Sequence, residues 1–126
     1  MYDLSKEKNP YSDFFGIELI EADENSAYGK FNVRPEFTDM LSHTTGGAYA
    51  SLADAVGGAA ARATGDMYVT QNCSLQFYAS TELSDGQLIA KATVRHRGSR
   101  TCIVAVQLEH ADGEIVCDGQ FSYSKI

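Results

Sequence analysis

The chain has no tryptophan, only two prolines and three histidines, and its ten lysines and arginines are outnumbered by seventeen aspartates and glutamates. A net charge of −7 speaks against nucleic acid or an anionic membrane as a partner, since either would call for a basic face. Cys73, Cys102 and Cys117 are odd in number, widely spaced and without a Cys-x-x-Cys pairing, so neither a disulfide framework nor a zinc site is indicated. On apolar strand phases they are expected to be small buried hydrophobes. No H-E-x-x-H, acidic cluster at ligand spacing or G-x-S-x-G elbow occurs, which leaves metal hydrolysis and a serine triad without support; no metal and no cofactor are expected. No apolar run is long enough to span a bilayer, and Met1–Glu7 lacks the basic start and apolar core of a signal peptide, so the expected compartment is the cytoplasm. Without Pro-rich, Ser-rich or highly charged segments, residues 1–126 are expected to form one domain.

What is present is unusual in one place. From Gly46 to Ala61 the sequence is Gly- and Ala-rich and apolar, with Asp54 as its only charge. This reads as a helix of roughly eighteen residues, about 27 Å long at ~1.5 Å per residue. Thr45 is suited to cap it, Arg62 to complement its negative end, and Gly65 to stop it. A helix apolar nearly all round is buried against other structure, and an unpaired carboxylate inside it is costly unless something binds or uses it.

Around that helix the hydrophobic period is two. Gly16–Ala22 and Ser26–Val33 read as a hairpin, with Ala27, Gly29, Phe31 and Val33 on one side, after a short helical turn at Tyr11–Phe15. Downstream, Val69–Tyr78, Gln87–Arg97, Thr101–His110 and Glu114–Tyr123 alternate as strands, with turns at Gly86, Gly98 and Asp112-Gly113. The order implies an α+β fold, an antiparallel sheet wrapped around one long central helix, whose uncovered surfaces favour a symmetric dimer. His96 and His110 are expected at exposed strand positions.

The segment Thr45-Gly46-Gly47-x-x-x-x-Leu52-Ala53-Asp54 resembles the H-G-G, four residues, L-A-D pattern of the PaaI-like acyl-CoA thioesterases of the hotdog-fold superfamily. Val69-Thr70, Phe77, Asp85-Gly86 and His96-Arg97-Gly98-Ser99-Arg100 extend the match over roughly Gly16 to Tyr123. The resemblance implies the hotdog fold and hydrolysis of an acyl-CoA thioester, with Asp54 as general base or nucleophile and Gly46 as oxyanion donor through its N–H. It also implies Thr70 as the hydroxyl that orients water, and Arg97, Gly98, Ser99 and Arg100 as residues meeting the CoA arm. Two positions depart from the pattern: Thr45 stands where the family has His, and Asp39 where it commonly has Asn, while His43 lies two residues upstream of Thr45. Asp39, His43, Thr45 and Gly47 are therefore the candidates for the polar surround of the thioester carbonyl.

Independently of any family, Gly46-Gly47 at a helix start lets a ligand approach N–H groups that carry partial positive charge. Asp54 lies eight residues further on, about 12 Å away at ~1.5 Å per residue, too far for one carbonyl to touch both. If both act in one reaction, the carboxylate must come from a neighbouring subunit, so the site requires a homodimer; a homotetramer is the expected assembly. Phe14, Phe15, Phe37, Tyr49 and Tyr78 are candidate acyl-pocket groups, and Arg95, Arg97, Arg100 and Lys91 a local basic patch suited to the CoA phosphates. Two rival functions stand beside thioester hydrolysis. One is a non-catalytic acyl-CoA-binding module; the other is a hotdog hydratase or dehydratase, which resembles an Asp/Glu-His pairing.

Overall fold

The computed structural model describes residues 2–126. A 3-10 turn at Leu4–Glu7 leads to helix α1 (Pro10–Phe15), the hairpin β1 (Glu18–Ala22) and β2 (Ser26–Asn32), a second 3-10 turn at Pro35–Phe37, and the long helix α2 (Gly46–Arg62). Strands β3 (Tyr68–Phe77), β4 (Gln87–Arg97), β5 (Thr101–His110) and β6 (Ile115–Lys125) follow, with a 3-10 turn at Leu83–Asp85. All six strands form one antiparallel sheet in the order β1-β2-β4-β5-β6-β3, wrapped around α2. The expected elements are present. The differences are at ends: β1 begins at Glu18 rather than Gly16, and β6 runs on to Lys125.

Helix α2 starts where Thr45, in extended conformation, takes the Ala48 N–H on its Oγ1 at 3.3 Å. Its inner face carries small residues because the sheet is close. A Cβ on Gly57 would stand 2.6 Å from the Tyr123 hydroxyl and 3.2 Å from Val106, so the ~1 kcal/mol that glycine costs in a helix interior is accepted for contact. Against this face pack Leu88, Ala90 and Ala92 of β4, Val104, Val106 and Leu108 of β5, and Phe121 and Tyr123 of β6, all buried. Phe31 and Phe37 join Phe15 in an aromatic cluster at the hairpin side, with ring centroids 4.9–6.3 Å apart. Among the described residues, no helix is long and apolar enough to cross a membrane.

Strand β3 is one edge of the sheet, β1 being the other, and pairs with β6. Its register with β6 shifts between Thr70 and Asn72, leaving Gln71 as an extra residue. The shift changes which parity faces α2: Thr70 opposes Tyr123 before it, whereas Cys73 opposes Phe121 and Phe77 opposes Cys117 after it. Cys73 is therefore on the inward phase expected of it, yet on this edge strand it is exposed and not the buried hydrophobe expected. Cys102 and Cys117 are buried as expected, and burial pushes the Cys117 thiol up to about 11.

The N-terminal segment is tied to the far end of α2. Glu7 takes bidentate hydrogen bonds from Arg62, Nη2 at 2.6 Å and Nε at 3.0–3.1 Å, while Arg62 Nη1 donates to the Tyr68 carbonyl at 3.1 Å. Tyr2 donates to the same carboxylate, and burial together with that charge pushes its phenol up to about 12. With side chains only 6% and 24% exposed, Glu7 and Arg62 form a pair that is expensive to break on one side. Glu7→Ala is expected to lower the unfolding free energy by about 2–4 kcal/mol, measured in urea, and adding Arg62→Ala to cost much less than its effect alone. Additive losses would show that the pair does not hold the segment.

Candidate functional site

Asp54 lies on the partly exposed face of α2, half-buried rather than deep, and it is not unpaired as its surroundings suggested. Thr70 Oγ1 donates to its Oδ1 at 2.8 Å, and the Tyr123 hydroxyl lies 3.1 Å from both Oδ1 and the Asp54 carbonyl. Thr70 and Tyr123 are register partners on β3 and β6, so two hydroxyls from one rung of the ladder converge on one carboxylate oxygen. Tyr123 is fully buried, and burial followed by the Asp54 charge holds its phenol well above the usual tyrosine value. Oδ2 receives no hydrogen bond among the described residues. The result is a carboxylate of fixed orientation with one oxygen free to take a proton or attack a carbonyl.

The helix start is built separately. Thr45 N–H donates to the Phe37 carbonyl at 2.8 Å, and the Thr45 side chain is occupied in capping Ala48. Gly46 and Gly47 are exposed, and their N–H groups find no partner among the described residues. A Cβ on Gly46 would meet the Phe77 ring at 3.5 Å, so a small substituent fits there but a larger one would crowd the ring. Gly47, Ala50 and Asp54, spaced i, i+3 and i+7, form an uncovered stripe of the helix. Tyr11 reaches the side of this stripe, 2.8 Å from Ser51 Oγ, while Ser51 donates to the Gly47 carbonyl at 2.9 Å. Surface clefts of about 390 Å3 (Leu4, Ile17, Leu19) and 530 Å3 (Lys91, Thr93, Gln107) both lie away from Asp54.

The loop before the helix keeps its polar groups to itself. Asp39 is exposed, and its Oδ1 accepts the Leu41 and His43 N–H groups at 2.8 and 3.2 Å, which hold the carboxyl below its ordinary value. His43 Nε2 faces Glu82 at 3.6 Å. Neither is brought to Asp54. The neighbouring Thr44 is buried, and its hydroxyl has no partner among the described residues.

The β4–β5 turn also differs in detail from expectation. Arg97 Nη1 donates to the Ala61 carbonyl at 3.0 Å, and Nη2 to the Ala60 and Glu24 carbonyls at 3.2 and 3.0 Å. It thus completes the carbonyl end of α2, the role that sequence assigned to Arg62. Ser99 and Arg100 are exposed and Gly98 half-buried; Lys91 is paired with Glu109 at 2.8 Å. Of the candidate acyl-pocket aromatics, Phe37 and Tyr49 belong to the core and Phe15 packs against it, whereas Phe14 and Tyr78 are exposed, Tyr78 donating to Asp118 at 2.7 Å. His96 is exposed as expected, but His110 is buried. Tyr123 was missed because an inward strand position reads as apolar packing; its hydroxyl was the available signal.

A sequence model of the thioesterase superfamily matches residues 41–117. No curated protein matches the chain. Among solved structures, it is similar to AziG of S. sahachiroi, at 25% identity over 94% of this chain and 97% of that one, with a TM-score of 0.90. It is also similar to the E. coli PaaI protein from the phenylacetic acid degradation operon, at 24% identity over 97% and 88%, TM-score 0.90. A hypothetical thioesterase from Streptococcus pneumoniae, solved with coenzyme A, aligns at 21% identity over 87% and 85%, TM-score 0.82. The architecture is the hotdog fold.

The two arginines of the turn separate structurally. Arg97→Met is expected to cost about 2 kcal/mol of stability by stripping three carbonyls of a charged donor. Arg100→Met should stay within about 0.5 kcal/mol. Equal urea midpoints for the two variants would refute the capping role.

Proposed function

The chain belongs to the thioesterase superfamily, and from that premise we infer that it hydrolyses an acyl- or aryl-CoA thioester to the free carboxylic acid and CoA, as PaaI-like members of the superfamily would. The observation that carries this is Asp54, pinned through one oxygen by Thr70 and Tyr123 with the other oxygen free, on the same helix as the unpaired N–H groups of Gly46 and Gly47. The first is a base or nucleophile; the second is an anion site.

The spacing of the two along α2, about 12 Å by helix rise, makes the site bipartite. Two copies with antiparallel α2 stripes would set Gly46 of one chain against Asp54 and Thr70 of the other. The partly exposed Gly47-Ala50-Asp54 stripe and the unpaired edge of β3 are surfaces that such a homodimer would cover, and pairing of dimers into a tetramer is a natural further step. In the hydrolytic step, Asp54 takes a proton from water as the water oxygen bonds to the thioester carbon; the carbonyl oxygen gains negative charge beside the glycine N–H groups. Collapse of that intermediate breaks the C–S bond, and the CoA thiolate leaves with the proton. Direct attack by Asp54, giving an anhydride that water then opens, uses the same atoms. Each well-placed N–H donor is worth about 2.7–4 kcal/mol in such a step.

Asp39, tied into its own turn, is not set to oppose that charge. The Thr70 hydroxyl donates its one hydrogen bond to Asp54, so its lone pairs remain to orient the water. For the CoA arm, Ser99 and Arg100 are the turn residues with free side chains, whereas Arg97 is spent on the helix end. The coenzyme A bound to the Streptococcus pneumoniae neighbour supports a CoA carrier here. A hydratase is disfavoured because no imidazole accompanies Asp54: His43 faces Glu82 and His110 faces Glu114.

Across a panel of acyl- and aryl-CoA esters, thiol release by the protein is expected to fall on the order of 10²–10⁴-fold in Asp54→Asn. Unchanged rates would remove Asp54 from the mechanism, and saturable binding without release by the unsubstituted protein would mark a binding module instead. The bipartite site makes a second prediction. Gly46→Val and Asp54→Asn, each inactive alone, should regain about a quarter of full activity when co-refolded in equal amounts, since half the dimers are hybrids with one intact site. No recovery would place the whole site in one chain.

A further inference from the structure

A buried polar line runs from the sheet surface to the first turn of α2, and neither core packing nor the chemistry above requires it. Tyr49, Thr81 and His110 are 2%, 0% and 6% exposed. Tyr49 Oη is 2.6 Å from Thr81 Oγ1 and donates to the Ala79 carbonyl at 3.0 Å; Thr81 Oγ1 is 2.8 Å from His110 Nε2, and His110 Nδ1 is 3.0 Å from Glu114 Oε1. Asp85 stands 3.7 Å from Nε2. His110, Asp112 and Glu114 offer ligand atoms within 4.8 Å of one another, but both imidazole nitrogens are already engaged, so the group terminates a hydrogen-bond chain rather than forming an open cation site. Each buried member is satisfied by the next, and an apolar trio of the same volume would pack there with less risk.

What the line holds is the helix start. Thr81 does so twice: its carbonyl accepts the Thr44 N–H at 2.8 Å, fixing the loop that delivers Thr45, and its hydroxyl holds Tyr49. The Tyr49 ring lies 5.7 Å from that of Phe77, which borders Gly46. Capping loop, first turn and the ring beside Gly46 are thus referred to one residue, and that residue is oriented by His110.

We propose that His110 is a positioning residue for the Gly46 and Gly47 N–H groups, acting through Thr81 on Thr44 and Tyr49 without touching substrate. Its catalytic consequence rests on the thioesterase reading; its structural half does not. Two measurements on His110→Leu, Thr81→Val and His110→Gln separate them. Amide hydrogen exchange at Thr44, Ala48 and Tyr49 should accelerate by at least about tenfold in the Leu and Val variants, with protection in β4 and β5 retained. In the same variants kcat should fall on the order of ten- to a hundredfold with KM within about threefold, because the donors are displaced while substrate contacts remain. His110→Gln, whose amide reaches the place of Nε2, should recover most of kcat.

Unchanged exchange at those amides, or a loss of protection spread evenly over the sheet with kcat per folded molecule intact, would overturn the inference. Thr81→Val keeps the shape of the site and serves if His110→Leu does not fold. Were the unsubstituted protein to release no thiol, the exchange result alone would decide on His110, and the thioesterase reading would be what had failed.

Discussion

The close approach of α2 to the sheet is the constraint on which everything else in the molecule depends. A helix of ordinary side chains would stand off from β5 and β6 by a further methyl or more, and the hydroxyl of Tyr123 would no longer reach the Asp54 carbonyl and carboxylate. Gly57 makes this concrete, since a Cβ there would collide with that hydroxyl. The same small residues that thin the core bring polar groups of the sheet to the helix, so that a charged residue is held by its scaffold rather than merely tolerated.

Side chains also meet that helix at both ends, although the first N–H groups stay open. Thr45 caps the amide end from within the chain's own loop, while Arg97, reaching from β4, covers the Ala60 and Ala61 carbonyls, and Arg62 turns instead to Glu7. A helix rich in glycine has little intrinsic stability, and its order is supplied by these terminal contacts together with burial. Rigid ends matter to the proposed site because its two features sit at one end and in the middle, and their separation along the axis has meaning only if the helix does not fray.

Much of this was legible in the sequence. The Gly/Ala run with a lone Asp54, the Thr45 cap and the period-two strands follow from local chemistry, whereas the place of Thr70 beside Asp54 came only from the family resemblance. What escaped has identifiable causes. Tyr123 sits on an inward phase where an aromatic ring reads as packing. His110 shares the parity of Val104, Val106 and Leu108, which places it inside; an imidazole at a strand end reads as solvated because its partners, Thr81 and Glu114, come from loops that no strand pattern locates. Arg97, expected at the CoA arm, meets the last carbonyls of α2 while Arg62 turns to Glu7, because register, not spacing, decides which guanidinium meets which carbonyl. The exposure of Cys73 depends on strand order, which alternation does not encode.

The extra residue at Gln71 acts as a phase shifter. Thr70 and Phe77 are seven positions apart and would point to opposite faces of a regular strand, yet both face α2, one at the carboxylate and the other beside Gly46. One edge strand can therefore serve the middle and the beginning of the same helix only because it carries an odd insertion. Length, rather than residue identity, is the fragile quantity here: a deletion of a single polar, exposed residue would leave composition and hydrophobicity nearly untouched while turning either the hydroxyl or the ring away from the site.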